Sequence, residues 1–180
     1  MADSDLGDSN TGDSNPGDSN TGDGELSGKV AVITGAARAR GQGAAEARLF
    51  SAHGATVILT DVLDEDGEQT AGGIENAEYA HLDVGSEEGW DAVIDDVVER
   101  HGRLDVLVNN AGIARMGRLV NASLDDWNLT LAVNQTGVFL GMRAAARAMI
   151  EAGNGGSIVN ISSVAGLEGL FGSMAYGASK

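Results

Sequence analysis

Lys29–Asp61, KVAVITGAARARGQGAAEARLFSAHGATVILTD, is the stretch whose reading decides the fold. Val30, Ala31, Val32 and Ile33 form a continuous apolar run ending at Thr34-Gly35, as expected of a strand buried on both faces. Ala44–His53 has a helix-like composition and Gly54-Ala55 ends it. Thr56–Thr60 is a second buried strand, closing on Asp61. Strand, Gly-rich turn, helix, strand and terminal acid in this order predict a dinucleotide-binding unit. The physics is specific: glycines let backbone amides approach a pyrophosphate, and the helix N-terminus offers free N–H groups and its positive dipole end. Asp61 would accept hydrogen bonds from both ribose hydroxyls of an adenosine. A 2′-phosphate there would meet like charge, so NAD is expected in preference to NADP.

The alternation continues beyond Asp61. Tyr79–Leu82 reads as a short strand running to Asp83-Val84. Ser86 can cap the next helix, with Glu87 and Glu88 in its first turn matching the dipole. That helix carries Trp90, Val93, Ile94, Val97 and Val98 as an apolar stripe, with Trp90 as core. Leu104–Val108 is a fourth strand, delivering Asn109-Asn110-Ala111-Gly112. Ser123 and Asp126 fit a capping box for a long helix through Trp127, Leu131, Val138, Phe139 and Met142 to about Glu151, with Asn134 partway along. Strands separated by helices throughout predict α/β architecture, a doubly wound parallel sheet of the Rossmann type.

The final stretch, Gly156–Lys180, opens with Ile158, Val159 and Ile161, a run that suits a buried strand. Ser162 and Ser163 follow at its end, then a Gly-punctuated loop, Tyr176 and Lys180. On a helix, Tyr176 and Lys180 share a face one turn apart. A phenol in water ionises near ~10, too high for a neutral-pH acid/base, and an adjacent ammonium favours the phenolate. Tyr, Lys and a strand-end Ser together suggest a proton-transfer site.

Composition narrows the function classes. The net charge is −16, and residues 1–25 hold seven acids and no base, while the remaining 20 acids and 11 bases still leave −9. Such a surface argues against nucleic acid and anionic membranes. No apolar run is long enough to span a bilayer and the N-terminus does not resemble a secretory signal, so the cytoplasm is the expected location. No cysteine is present, which excludes disulfides, a thiolate nucleophile and Cys-ligated metal. His53, His81 and His101 lie apart near element ends and are read as structural, with no metal site. Only two lysines accompany nine arginines, a balance like that of proteins from salt-loving organisms. Residues 7–24 repeat GDSNT, GDSNP, GDSNT and GDG, which cannot offset the entropy of ordering and predict a disordered acidic tail over residues 1–25. The folded domain is expected over residues 26–180.

With these pieces assembled, the chain resembles the short-chain dehydrogenase/reductase family from about Leu26 to Lys180. The resemblance rests on Thr34-Gly35 with Gly41 and Gly43, Asp61, Asp83-Val84, NNAG at Asn109–Gly112, Asn134, Ser163, and Tyr176 with Lys180. TDVLDEDG, HLDV, GVFLGM and GSIVNISS look most like the bacterial 3α(20β)-hydroxysteroid dehydrogenases and neighbouring alcohol dehydrogenases. The resemblance implies an NAD-dependent oxidoreductase interconverting a secondary alcohol and a ketone, on a small-molecule substrate. Tyr176 would be the general acid or base, Lys180 would favour its phenolate and hold the nicotinamide ribose, Ser163 would hydrogen-bond the substrate oxygen, and Asn134 would order a water beside Lys180. The turn residues Gly35, Arg38, Arg40, Gly41, Gln42 and Gly43 would bind the cofactor, with Asp61, Asp83, Val84, Asn110, Ala111, Gly112, Tyr176 and Lys180.

Two departures from the family pattern carry expectations. Five residues, Ala36 to Arg40, separate the first two glycines of the turn where relatives place three. The longer loop would either bulge outward or push amides away from the pyrophosphate, and weaker NAD binding is expected than in a variant lacking Ala39 and Arg40. Relatives also continue past the position of Lys180 through further strands, a substrate-covering segment and subunit-pairing helices. The resemblance therefore implies an incomplete C-terminal half, homo-oligomerisation in a full-length form, and as an alternative a catalytically impaired chain that only binds dinucleotide or a partner.

Overall fold

The computed structural model describes residues 24–180. The acidic repeat tract lies, up to residue 23, outside the described residues. The chain builds β1 (Val30–Thr34), α1 (Gln42–Ala52), β2 (Thr56–Asp61), α2 (Asp64–Gly72), β3 (Ala77–His81), α3 (Glu87–His101), β4 (Val106–Asn109), α4 (Leu124–Leu131), α5 (Gly137–Ala152), β5 (Ser157–Asn160) and α6 (Met174–Ser179). All strand pairs are parallel, in the order β3-β2-β1-β4-β5. This is the doubly wound α/β sheet that the alternation of elements predicts.

Two-face burial explains the apolar runs. Val30, Val32, Ile58 and Leu107 point to one side, where Trp90, Val93, Ile94 and Val97 of α3 and Leu140, Ala144 and Met149 of α5 cover them. Ile33, Val57, Leu59 and Val108 alternate to the other side, against Ala47 of α1 and Ala71 of α2. Each fully buried Val, Leu or Ile contributes about 1.5–3 kcal/mol over leaving it exposed. Trp90 is core as expected, and its indole N–H finds the Val84 carbonyl at 2.9 Å. The expected caps also form: Ser86 Oγ accepts from Gly89 N–H, and Ser123 Oγ accepts from Asp126 N–H, both at 3.0 Å. At the N-terminal ends of the strands, buried Asp105 holds the start of β1 by accepting from Val30 N–H at 3.0 Å. It also pairs with Lys29 and Arg103.

Two expectations need correction, and α2 and a π-turn go beyond what the sequence pattern shows. The helix α2 was not anticipated, because DEDGEQTAG offers almost no apolar face. Three acids in its first turn match the helix dipole, and Gly67 lets the Tyr79 ring pack directly on its backbone. The third strand lies at Ala77–His81, two residues earlier than Tyr79 at its start, because it takes its register from β2. The long helix through Asn134 forms as expected from Leu124 to Ala152, but it carries a π-turn at Ala132–Thr136 between α4 and α5. β5 is not buried: it pairs on one side with β4 only, and Val159 is 43% exposed.

Candidate functional site

β1 and β4 are sheet neighbours, yet the chain leaves them toward opposite faces. A crevice therefore opens beyond their C-terminal ends. Buried Thr34 forms its floor. Its hydroxyl accepts from Asn110 N–H at 3.0 Å and Ala111 N–H at 2.9 Å, and donates to the Val108 carbonyl. Asn110 returns the contact, its side-chain amide donating to the Thr34 and Gly35 carbonyls at 2.8 and 3.2 Å. Gly35 has φ 67°, and a Cβ there would lie 2.7 Å from Ala111 Cα. Only glycine fits that approach. A Cβ on Gly43 would sit 2.8 Å from both Asn110 Nδ2 and the Gly35 carbonyl, so this glycine lets α1 close on the strand ends.

A cleft of about 450 Å³ occupies this crevice, walled by Gly35, Arg38, Gly41, Asp61, Asp83, Val84, Asn110, Ala111 and Gly112. Gly41 caps α1 with no side-chain bond, which leaves first-turn N–H groups available to an anion. The two extra residues of the turn bulge outward. Gly41 N–H donates to the Arg38 carbonyl at 2.7 Å, closing a tight turn with Ala39 and Arg40 at its tip, and Arg48 holds the Ala39 carbonyl. The glycines thus keep their places at the cleft, as in the outward-bulge alternative.

Asp61 sits at the end of β2 and is already engaged. Its Oδ2 accepts from Ala37 N–H at 3.1 Å, and its Oδ1 accepts from Val62 and Leu63 N–H at 2.8 and 3.3 Å. A carboxylate has about four lone-pair sites, so roughly one remains for a ligand hydroxyl unless a backbone bond yields. Its own carbonyl and the Asp64 carboxylate lie 2.7 and 2.8 Å from the Tyr79 hydroxyl and share its single proton. Burial first, then the Asp64 carboxylate, push the Tyr79 phenol up and keep it a donor. Hydrogen bonds from His81 and Tyr79 hold the Asp64 carboxyl low.

Asn134 and Lys180 approach the cleft at Gly112. A Cβ there would lie 3.5 Å from Asn134 Oδ1 and 3.6 Å from Lys180 Nζ. Buried Asn134, in the π-turn, exchanges bonds with both the N–H and the carbonyl of Ile113 at 2.8 Å, and donates to Ser179 Oγ at 2.9 Å. Lys180 Nζ donates to the Ile161 carbonyl at 2.8 Å and lies 5.8 Å from the Tyr176 ring centroid. Ser163 Oγ accepts from Ala165 N–H, capping a short 3-10 turn, and is not hydrogen-bonded to Tyr176. Ser162 donates to the Lys180 carbonyl. Arg40 stays at the turn tip, and Gln42 donates to Glu46 along α1, so neither side chain lines the cleft.

Several contributors escaped the sequence reading. Thr34 was noted only as a motif letter, although its position at a strand end before glycine marks a hydroxyl placed to cap a neighbouring loop. Val62, Leu63, Leu82, Ile113 and Val133 give the cleft an apolar wall. An apolar pair directly after the terminal acid of β2 was the available signal. Ser179 precedes Lys180 and so holds Asn134 to α6.

A profile of the short chain dehydrogenase family matches residues 29–180. The chain is 48% identical over 163 residues to trans-4-hydroxycyclohexanecarboxylate dehydrogenase of Sinomonas cyclohexanicum, covering 84% of this chain and 61% of that protein. It is 47% identical over 158 residues to 3-alpha-(or 20-beta)-hydroxysteroid dehydrogenase of Mycobacterium tuberculosis, covering 87% of this chain and 60% of the relative. Cyclopentanol dehydrogenase of Comamonas sp. is 39% identical over 161 residues. The chain thus spans about three fifths of the length of these relatives. It belongs to the short-chain dehydrogenase family.

Proposed function

We propose that this member of the short-chain dehydrogenase family is an NAD-dependent oxidoreductase that interconverts a secondary alcohol and a ketone. The observation that carries this reading is the convergence of Asn134 and Lys180 on Gly112, which joins a dinucleotide-sized cleft to a Tyr/Lys pair. The cleft suits a dinucleotide because its glycines clear space that any Cβ would fill, and α1 leaves N–H donors uncapped beside it. A bound nicotinamide supplies or accepts the hydride. Tyr176 gives its hydroxyl proton to the carbonyl oxygen in reduction and takes it back in oxidation. Lys180 favours the charge developing on the Tyr176 oxygen and meets the nicotinamide ribose. Ser163 hydrogen-bonds the substrate oxygen, and Asn134, tied to Ile113 and Ser179, holds Lys180 and a water in line. Asp61 prefers a free 2′-hydroxyl over a phosphate, which favours NAD.

The names of the relatives suggest an alicyclic secondary alcohol as substrate. No helix of the described residues is long and apolar enough to cross a membrane, which is compatible with the proposed cytoplasmic location. Exposed Leu124, Phe139 and Ile150 on α4 and α5 support homo-oligomerisation. The test is NADH formation followed by absorbance with cyclic secondary alcohols, at low and high salt. Turnover that Tyr176→Phe abolishes supports the reading, and NADPH formation at equal rate overturns its cofactor choice. A second reading, dinucleotide binding without turnover, is favoured by Ser163 bonding to Ala165 and not to Tyr176. NADH binding with no turnover of any alcohol would select it.

A further inference from the structure

We propose that Thr70 is a positioning residue for the cofactor cleft, holding the Ala37 main chain so that Asp61 meets the adenosine ribose. The proposal rests on the NAD reading above. Ala37 is fully buried and lies between β1 and α1, outside any regular element, so its N–H and carbonyl must each find a partner. The N–H donates to Asp61 Oδ2 at 3.1 Å, and the carbonyl accepts from Thr70 Oγ1 at 2.5 Å. The main chain of one residue thus links α2, through two successive peptide groups, to the Asp61 carboxylate. A threonine within a helix commonly bonds back to the carbonyl one turn earlier. Thr70 instead reaches 33 residues back along the chain to the loop, while remaining 7% exposed.

The longer turn gives that bond its importance. Ala37 is the last residue before the Arg38–Gly41 turn, which Arg48 holds only at its outer tip. Thr70 fixes the inner side, where the loop passes Asp61. Without its hydroxyl the Ala37 main chain is free to shift, its N–H loses its fixed place at Asp61, and the carboxylate no longer presents its free lone pair at one place. A phosphate on the ribose draws little from that carboxylate, so the loss falls on NADH and spares NADPH.

Fluorescence titration of the full chain with NADH and with NADPH tests this. Thr70→Val keeps the shape and removes the donor; its Kd for NADH is expected to rise about three- to tenfold, as for one lost hydrogen bond, with that for NADPH changed less than about twofold. Thr70→Ser is expected to restore the wild-type ratio. Both Kd values rising together, or neither moving, would leave Thr70 a structural residue and overturn the proposal. Should Thr70→Val not fold, amide exchange at Ala37 in the wild type gives a second readout: NADH is expected to slow it, and an unchanged rate overturns the proposal. Wild-type protein that binds neither dinucleotide overturns the NAD reading itself, whereas NADH binding with an unmoved ratio overturns only the role of Thr70.

Discussion

The cleft beyond β1 and β4 and the stretch Gly156–Lys180 are two parts of one proposed site, built in opposite ways. In the cleft, Thr34 and Asn110 spend their polar groups on backbone partners between buried strands. In the other part, β5 is an exposed strand, and the loop before α6 carries Leu167 at 89% and Phe171 at 85% exposure. On the proposed function, dinucleotide recognition would rest on main chain locked by a two-sided core. The proposed proton transfer would rest on side chains anchored by few contacts, chiefly those of Lys180 with Ile161 and Asn134 with Ser179. The two tasks are physically separable.

The sharpest way to test that separation is Tyr176→Phe. Turnover is expected to fall about 10²–10⁴-fold, the usual worth of general acid–base catalysis, with NADH affinity held within about twofold. Matched steady-state rates and binding titrations measure both, and a parallel loss of affinity would break the comparison. Gly35→Ala attacks the other part. A Cβ against Ala111 at positive φ is expected to cost about 2 kcal/mol of stability, read by urea unfolding, and to weaken NADH binding.

A third change lies outside both. Burial alone would raise the Asp105 carboxyl, but Arg103, Val30 N–H and Lys29 outweigh it and hold it low. Its stabilising contribution is thus complete above the unfolded carboxylate range near ~4 and is lost as pH falls through the lower folded value. Asp105→Asn is expected to cost about 1–3 kcal/mol at neutral pH, and less in acid, with NADH affinity unchanged. Urea unfolding at the two pH values checks it. The smallest effect is expected from deleting Ala39 and Arg40: the turn already brings Arg38 and Gly41 together, so NADH Kd should move less than about threefold, below the worth of one net hydrogen bond. A larger gain in affinity would show that the bulge strains the glycines after all.

The same contrast governs what the sequence revealed. β1, α1, β2 and Asp61 were legible because strands buried on both faces read as unbroken apolar runs, and glycine marks positions that exclude a side chain. Those pressures act locally. The helix α2 was illegible because its packing is supplied by the Tyr79 ring lying on Gly67, a contact between residues of ordinary local pattern. The π-turn was equally hidden, since it accompanies the pairing of Asn134 with Ile113 across 21 positions. Ile158 and Val159 carry the composition of a buried strand, but burial depends on what lies alongside, which composition does not encode. Asn134 and Lys180 could be named from their motif, while their meeting at Gly112 required the fold.

The lacing of Thr34 to Asn110 also sets an order of events as the chain is made. β1 takes its second neighbour from β4, which pairs Ala31 with Val106, so the first strand waits for residues made much later. The β1–α1–β2 unit can gather early through short-range contacts, but closing so long a loop is slow. Until Asn110 has left the ribosome, Thr34 has no loop to hold and the crevice lacks the wall formed by Asn110, Ala111 and Gly112. The proposed dinucleotide binding would then be a late milestone of synthesis, and nascent chains stalled before Asn110 should fail to be retained on an immobilised dinucleotide, whereas the released 180-residue chain should be captured.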